Sequence, residues 1–310
     1  MKSLYWLVRR ELWESRAVWF VPAACALIIA ASVLFATLSH GVGADHAAGF
    51  IGKLNAALTP EKAQSVVSGV LGGIALPFFI TILFTQFFYS LDALYGERRD
   101  RSVLFWKSLP VSDAETVLAK LVVAGLLIPA VAALAALATQ LLVFGILSAA
   151  LAPAPALAGQ LWSAAVWADS LLVMGYVLAA GILWYLPLLG WLLLVSASVP
   201  RAPFLWAILP PLALSLAEFI AFRTNFLLGV MGERFGNTGL FAHAFRGMQG
   251  RGVSIGLVID DEHLVLPRAL VELMRPAEFF GSAALWTGVA VGIGLVAAAI
   301  WMRRYRDATA

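Results

Sequence analysis

The chain has 310 residues, 62% of them hydrophobic and 13% charged, and its mean hydropathy of +0.90 lies far outside the balance of soluble domains. Its 18 acids and 21 bases cannot clothe a water-facing surface of this size, so lipid must cover much of it. The formal charge of +3 reports where bases sit relative to a bilayer and gives no argument for nucleic acid, while a single cysteine, Cys25, excludes an intramolecular disulfide and any CxxC device.

Residues 1–17 predict a helix lying in the membrane surface. Leu4, Val8 and Leu12 share one helical face with Tyr5 beside it, and Arg9, Arg10, Glu14 and Arg16 gather opposite, although Glu11 and Trp13 break the pattern. The same residues also suit an ordinary basic flank of a first span. The apolar stretch that follows is longer than a signal-peptide core and lacks a small-x-small cleavage site, so it reads as a retained span.

A hydrocarbon layer about 30 Å thick needs roughly 20 apolar residues in a helix, because lipid cannot satisfy a bare backbone. Six runs meet that length: Val18 to Leu38, Gly69 to Leu91, Leu121 to Leu147, Ser170 to Ser196, Phe204 to Phe222 and Gly281 to Met302. The expected fold is therefore all-α, a single polytopic domain over residues 1–310. Pro22, Pro77, Pro129, Pro187, Pro210 and Pro211 predict kinks within the runs. An N-terminus in the cytoplasm places 13 of the 21 bases in the shorter set of loops, which fixes both termini on that side. Three outer loops remain, His40 to Ser68, Leu151 to Trp167 and the longest at 223–280; the first half of the longest is glycine-dense, and Glu262 to Met274 has the spacing of a short helix.

Familiar chemistry is missing. There is no GxxxxGK[ST] loop and no HExxH motif, and no predicted span contains a histidine. No cofactor is expected on this chain. His40, Asp45 and His46 are the nearest approach to a metal-ligand set, on an outer loop. Glu218 lies within the fifth run, where an ionised carboxylate at the bilayer centre costs about 2.5–3.5 kcal/mol. It stands close enough to the outer end to reach water, and is a candidate pathway or gate residue. Gly69-x-x-x-Gly73 and Gly288-x-x-x-Gly292 put small residues on one helical face, as close helix packing within a subunit or between two requires.

Between the second and third runs the polar stretch GERRDRSVLFWKSLPVSDAE begins at Gly96. A helix over 97–109 would pair Glu97 with Arg101 and expose Leu104, Phe105, Trp106 and Leu109 before Pro110 ends it. Ser112-Asp113-Ala114-Glu115 then reads as a capping box opening the next helix. Such a corner suits either a partner's pocket or the lipid surface.

The string LYGERRDRSVLFWKSLPVSDAETVLAK, Leu94 to Lys120, resembles the first cytoplasmic loop of type-2 ABC exporter permeases, and the closing WMRRYRD resembles the tail of the same bacterial group. The resemblance implies that residues 97–109 form a coupling helix docking on a separate ATPase, with Glu97, Arg98, Arg101, Leu104, Phe105, Trp106 and Leu109 at the contact. It further implies two ABC ATPase subunits carrying ATP and Mg, a second permease subunit as homodimer or heterodimer, a bacterial inner-membrane location, and an outer segment that dips back into the membrane. The chain itself would not be an enzyme. The alternatives are an ion-driven secondary carrier, which should carry charged or broken midplane sites and inverted repeats, and a membrane scaffold or signalling subunit holding a partner by the same loop.

Overall fold

The computed structural model describes residues 2–39, 60–100, 111–152, 158–159, 161–235 and 276–306. All the regular elements among them are helices: α1 (Lys2–Glu14), α2 (Ala17–Ser39), α3 (Pro60–Ala93), α4 (Tyr95–Arg99), α5 (Asp113–Val122), α6 (Ile128–Ala150), α7 (Ala164–Ser198), α8 (Pro203–Phe222), α9 (Phe226–Phe235), α10 (Pro276–Gly281) and α11 (Ala283–Arg306). A π-helical turn, Val123–Leu127, joins α5 to α6 without a break in the rod.

Six of these stretches are long and apolar enough to cross a membrane: α2, Val67–Arg99, Asp113–Ala150, α7, α8 and Ala283–Tyr305. The protein is a multi-pass helical membrane protein. Five of the six predicted runs fall inside these stretches, several of which overshoot them, whereas the sixth run begins two residues early: Gly281 closes α10 and α11 starts at Ala283. The corrections lie at the outer loops. Residues 60–68 belong to α3 and residues 164–167 to α7, and α9 forms inside the glycine-dense half of the longest loop. The stretch Glu262 to Met274 lies outside the described residues.

The central helix is α7, which packs along α11 and α3, while α2, α3 and α6 form a neighbouring layer. Lipid gives apolar side chains no reason to leave it, so close packing and polar contacts hold such a bundle together. The tightest crossing is between α7 and α11. A methyl group on Gly292 would lie 2.7 Å from Leu186 Cγ and 2.9 Å from the Pro187 nitrogen, and one on Gly190 would lie 2.9 Å from the Gly292 carbonyl oxygen. Only glycine allows that approach. Gly69 and Gly73 behave differently, since Gly69 is exposed and Gly73 has no neighbour within 4 Å.

Helices continue through Pro22, Pro77, Pro187, Pro210 and Pro211. A proline cannot donate to the carbonyl one turn earlier, and in lipid that oxygen needs another donor. Pro211 frees the carbonyl of Ala207, which accepts from Trp191 Nε1 at 3.0 Å. In the π turn Ile128 donates to Val123 O, so the same register would ask Pro129 to donate to Ala124 O. Gln86 Nε2 takes its place at 2.8 Å. Each side chain comes from a neighbouring helix, so repairing the backbone also pins two helices together.

Candidate functional site

At the end of the bundle that carries α1 and the last turns of α11, here called the basal end, lies a charge cluster whose central members, Glu11, Glu97, Lys120 and Arg303, are buried. Glu97 on α4 is its hub. Its carboxylate lies 3.0 Å from Lys120 Nζ and 3.2 Å from Arg10 Nη2 through Oε1, and 2.8 Å from Arg303 Nη1 through Oε2. Glu11 is the second acid, 2.8 Å from Lys120 Nζ and 3.2 Å from Arg10 Nη2, and it also accepts a 3.0 Å hydrogen bond from the Tyr89 hydroxyl. Arg303 Nε reaches Asp113 at 3.1 Å. The side chains of Lys120 and Arg303 are each 3% exposed and that of Glu97 8%.

Three acids (Glu11, Glu97, Asp113) thus face three bases (Arg10, Lys120, Arg303), and a fourth, exposed acid, Glu14, pairs with Arg10 Nε at 3.0 Å on the rim. Removing ions from water is costly, and only a cluster that balances its charge and fills its hydrogen-bonding positions can offset that cost. Four elements contribute, α1, α4, α5 and α11, so the cluster ties the root of the polar loop to three other parts of the fold.

Local sequence places each member. Ser112 accepts from the Glu115 amide at 3.1 Å while Glu115 Oε2 accepts from the Ser112 amide at 3.1 Å, the reciprocal capping box that starts α5 and sets the phase presenting Lys120 inward. On α1 the buried stripe includes Leu7 and Glu11. Glu11 breaks the apolar pattern because the fold needs a carboxylate there. Tyr5, Trp6 and Trp13 face outward, with the Arg9 guanidinium 5.3 Å from the Trp6 ring centre and 5.7 Å from that of Trp13.

The junction between α3 and α4 has its own staple. Ser196 Oγ on α7 accepts from the Leu94 and Tyr95 amides, both at 3.0 Å, and donates to Leu91 O at 2.7 Å. Arg98 donates to the carbonyls of Ser196 and Val199, the latter at 3.0 Å, where the orphan oxygens at the end of α7 attract a cation. Glu97 and Arg98, read from the sequence as parts of a docking surface, are therefore both held by the protein's own elements. Their helix begins at Tyr95 and closes at Asp100, and Arg101, Leu104, Phe105, Trp106 and Leu109 lie outside the described residues, as do His40, Asp45 and His46.

Glu218 sits elsewhere, near the far end of α8. Its carboxylate accepts from the amides of Phe226 at 2.6 Å and Leu227 at 2.9 Å and from the Thr224 hydroxyl at 2.7 Å. These bonds satisfy free donors at the start of α9 and fix the reversal at Arg223, whose φ of 56° is left-handed. Arg234, at the other end of α9, then lies over the Trp184 ring at 4.1 Å and donates to Trp184 O at 2.8 Å and to Ala284 O. Gly288 leaves the room its guanidinium occupies. This wedge between α7 and α11 was not visible in the sequence, where Arg234 is one base in a glycine-rich loop.

Neither a protein-family model nor a curated protein matches the chain.

Proposed function

We propose that the chain is the membrane-spanning permease subunit of an ATP-driven exporter of the type-2 ABC kind. In this reading two permeases, identical or related, stand side by side, and two separate ATPase subunits grip the loops that begin at Glu97. The bilayer is a bacterial inner membrane, with the basal end and α1 on the cytoplasmic side. ATP and Mg belong to the ATPases, and this chain does no chemistry of its own.

The observation that supports the reading is the anchoring of Glu97 to Arg10, Lys120 and Arg303. A loop that transmits work must not yield at its root. Here buried ion pairs join that root to α1, α5 and α11, and Arg98 with Ser196 joins it to α7, so closure of the ATPases would shift the membrane helices as units. A carrier driven by ions has no use for so rigid a connection to a loop outside the membrane.

The test is co-purification with a candidate ATPase and substrate-stimulated ATP hydrolysis in proteoliposomes. The double variant Phe105→Ala, Trp106→Ala should insert normally, lose the ATPase and lose stimulation. Undiminished complex formation, or transport driven by an ion gradient without ATP, overturns the proposal.

A further inference from the structure

Beside the charge cluster a cleft of about 790 Å³ opens between α2 and α3, reaching the turn between α1 and α2 and the end of α4. One wall is apolar and exposed: Val21 from α2 and Phe84 and Phe88 from α3. Phe84, Phe88, Asp92 and Gly96 recur every four residues, so one helical face runs from phenyl rings into a carboxylate as it nears the basal end. The Asp92 carboxylate lies over Gly96, where an added methyl would sit 3.3 Å from its Oδ2. Asp92 is 65% exposed and only 4.0 Å from Arg99, which is itself 3.0 Å from Asp100. Arg16, also exposed, lies on the lining.

The chemistry of this lining selects its ligand. Phenyl rings continuing into open charges match a molecule with an acyl chain and a polar head, and they suit neither a free anion nor a metal ion. Four basic and five acidic side chains line the cleft, a net charge of −1, which disfavours an anionic head. A head carrying both signs is complementary, its phosphate toward Arg16 and Arg99 and its ammonium toward Asp92 and Asp100. Open carboxylates recognise an ammonium with N–H donors, whereas a trimethylammonium is held by a cage of aromatic faces, which two phenyl rings on one wall do not make. We infer that this cleft holds one phospholipid with a zwitterionic primary-amine head, phosphatidylethanolamine, from the leaflet at the basal end. The inference needs only a bilayer around α2 and α3, and stands apart from the exporter reading.

Native mass spectrometry of the full chain decides it, in detergent with phosphatidylethanolamine, phosphatidylcholine and phosphatidylglycerol of identical acyl chains in equal amounts. The first should be retained about fivefold over the other two, equivalent to about 1 kcal/mol. The double variant Asp92→Asn, Asp100→Asn should bring it level with phosphatidylcholine. Arg16→Gln should weaken retention of phosphatidylethanolamine while leaving the order of preference intact. Equal retention of all three by the unaltered protein, a preference for either of the others, or a cleft that retains no lipid because a second copy or another segment covers it overturns the inference. So does a preference that survives the loss of both carboxylates.

Discussion

Arg303 Nη1 and Glu97 Oε2 stand 2.8 Å apart, though 206 residues of chain separate them. The contact joins the last turns of α11 to the first helical turn beyond α3, and both side chains are shut away from water. Each is further held by other ions, Glu97 by Lys120 and Arg10 and Arg303 by Asp113, because a buried charge left short of partners costs several kcal/mol.

Glu97→Gln removes one of two buried acids and leaves the buried bases Lys120 and Arg303 facing a single buried carboxylate, Glu11. Loss of about 3–5 kcal/mol of stability is expected. Glu97→Gln combined with Arg303→Gln restores neutrality and should cost less than the sum of the two single changes. Thermal unfolding in one detergent, run as a double-mutant cycle, measures both quantities.

Ser196→Ala takes away the acceptor of two amides and a donor to Leu91 O in a fully buried site. Unsatisfied buried groups cost about 1–3 kcal/mol. The effect should be local, so hydrogen exchange at Leu94 and Tyr95 should rise far more than exchange in α6. Uniform acceleration across the bundle would mean that the staple is part of the global core.

At the α7–α11 crossing the obstacle to a side chain is backbone, which cannot swing aside. Gly292→Ala should therefore destabilise by about 1–3 kcal/mol. Gly73→Ala, made where a methyl meets nothing within 4 Å, should be neutral or stabilise by up to about 1 kcal/mol, since alanine favours helix. If both changes have the same effect, the crossing is not as close as described.

Both Glu218 oxygens are in use, Oε1 for Thr224 and Phe226 and Oε2 for Leu227. Glu218→Gln replaces one acceptor by a donor that faces another donor. Exchange of the Phe226 and Leu227 amides should quicken, with little change in α8 itself. A transport assay on the same variant separates this local role from a pathway role: full transport with a loosened α9 assigns Glu218 to the reversal alone.

The six membrane-crossing helices were legible because each is long and apolar, and the start of α5 was legible because a capping box is written in four consecutive residues. The charge cluster was not. Its pairings span 87, 109 and 206 residues, and nothing local distinguishes a buried Lys120 or Arg303 from a base at the edge of a membrane helix. One trace existed in Glu11, which violates an otherwise apolar stripe; an acid on the buried face of an amphipathic helix implies a cation opposite. Likewise α9 was hidden because Gly229 and Gly232 argue against a helix, and its starting support, Glu218, stands eight residues earlier on a different element.

The π turn between α5 and α6 sets the angular phase of one half of that rod against the other. One additional residue rotates everything on its far side by about 100° relative to an uninterrupted α-helix. Gln140 and Phe144 are thereby aimed into the packed interior beside α3 while Lys120 is aimed at Glu97, two directions that an uninterrupted α-helix would not supply together. Deleting a single residue from Val123–Leu127 should straighten the rod, release Gln86 from Ala124 and swing Lys120 off its target, even though no charged residue has been altered.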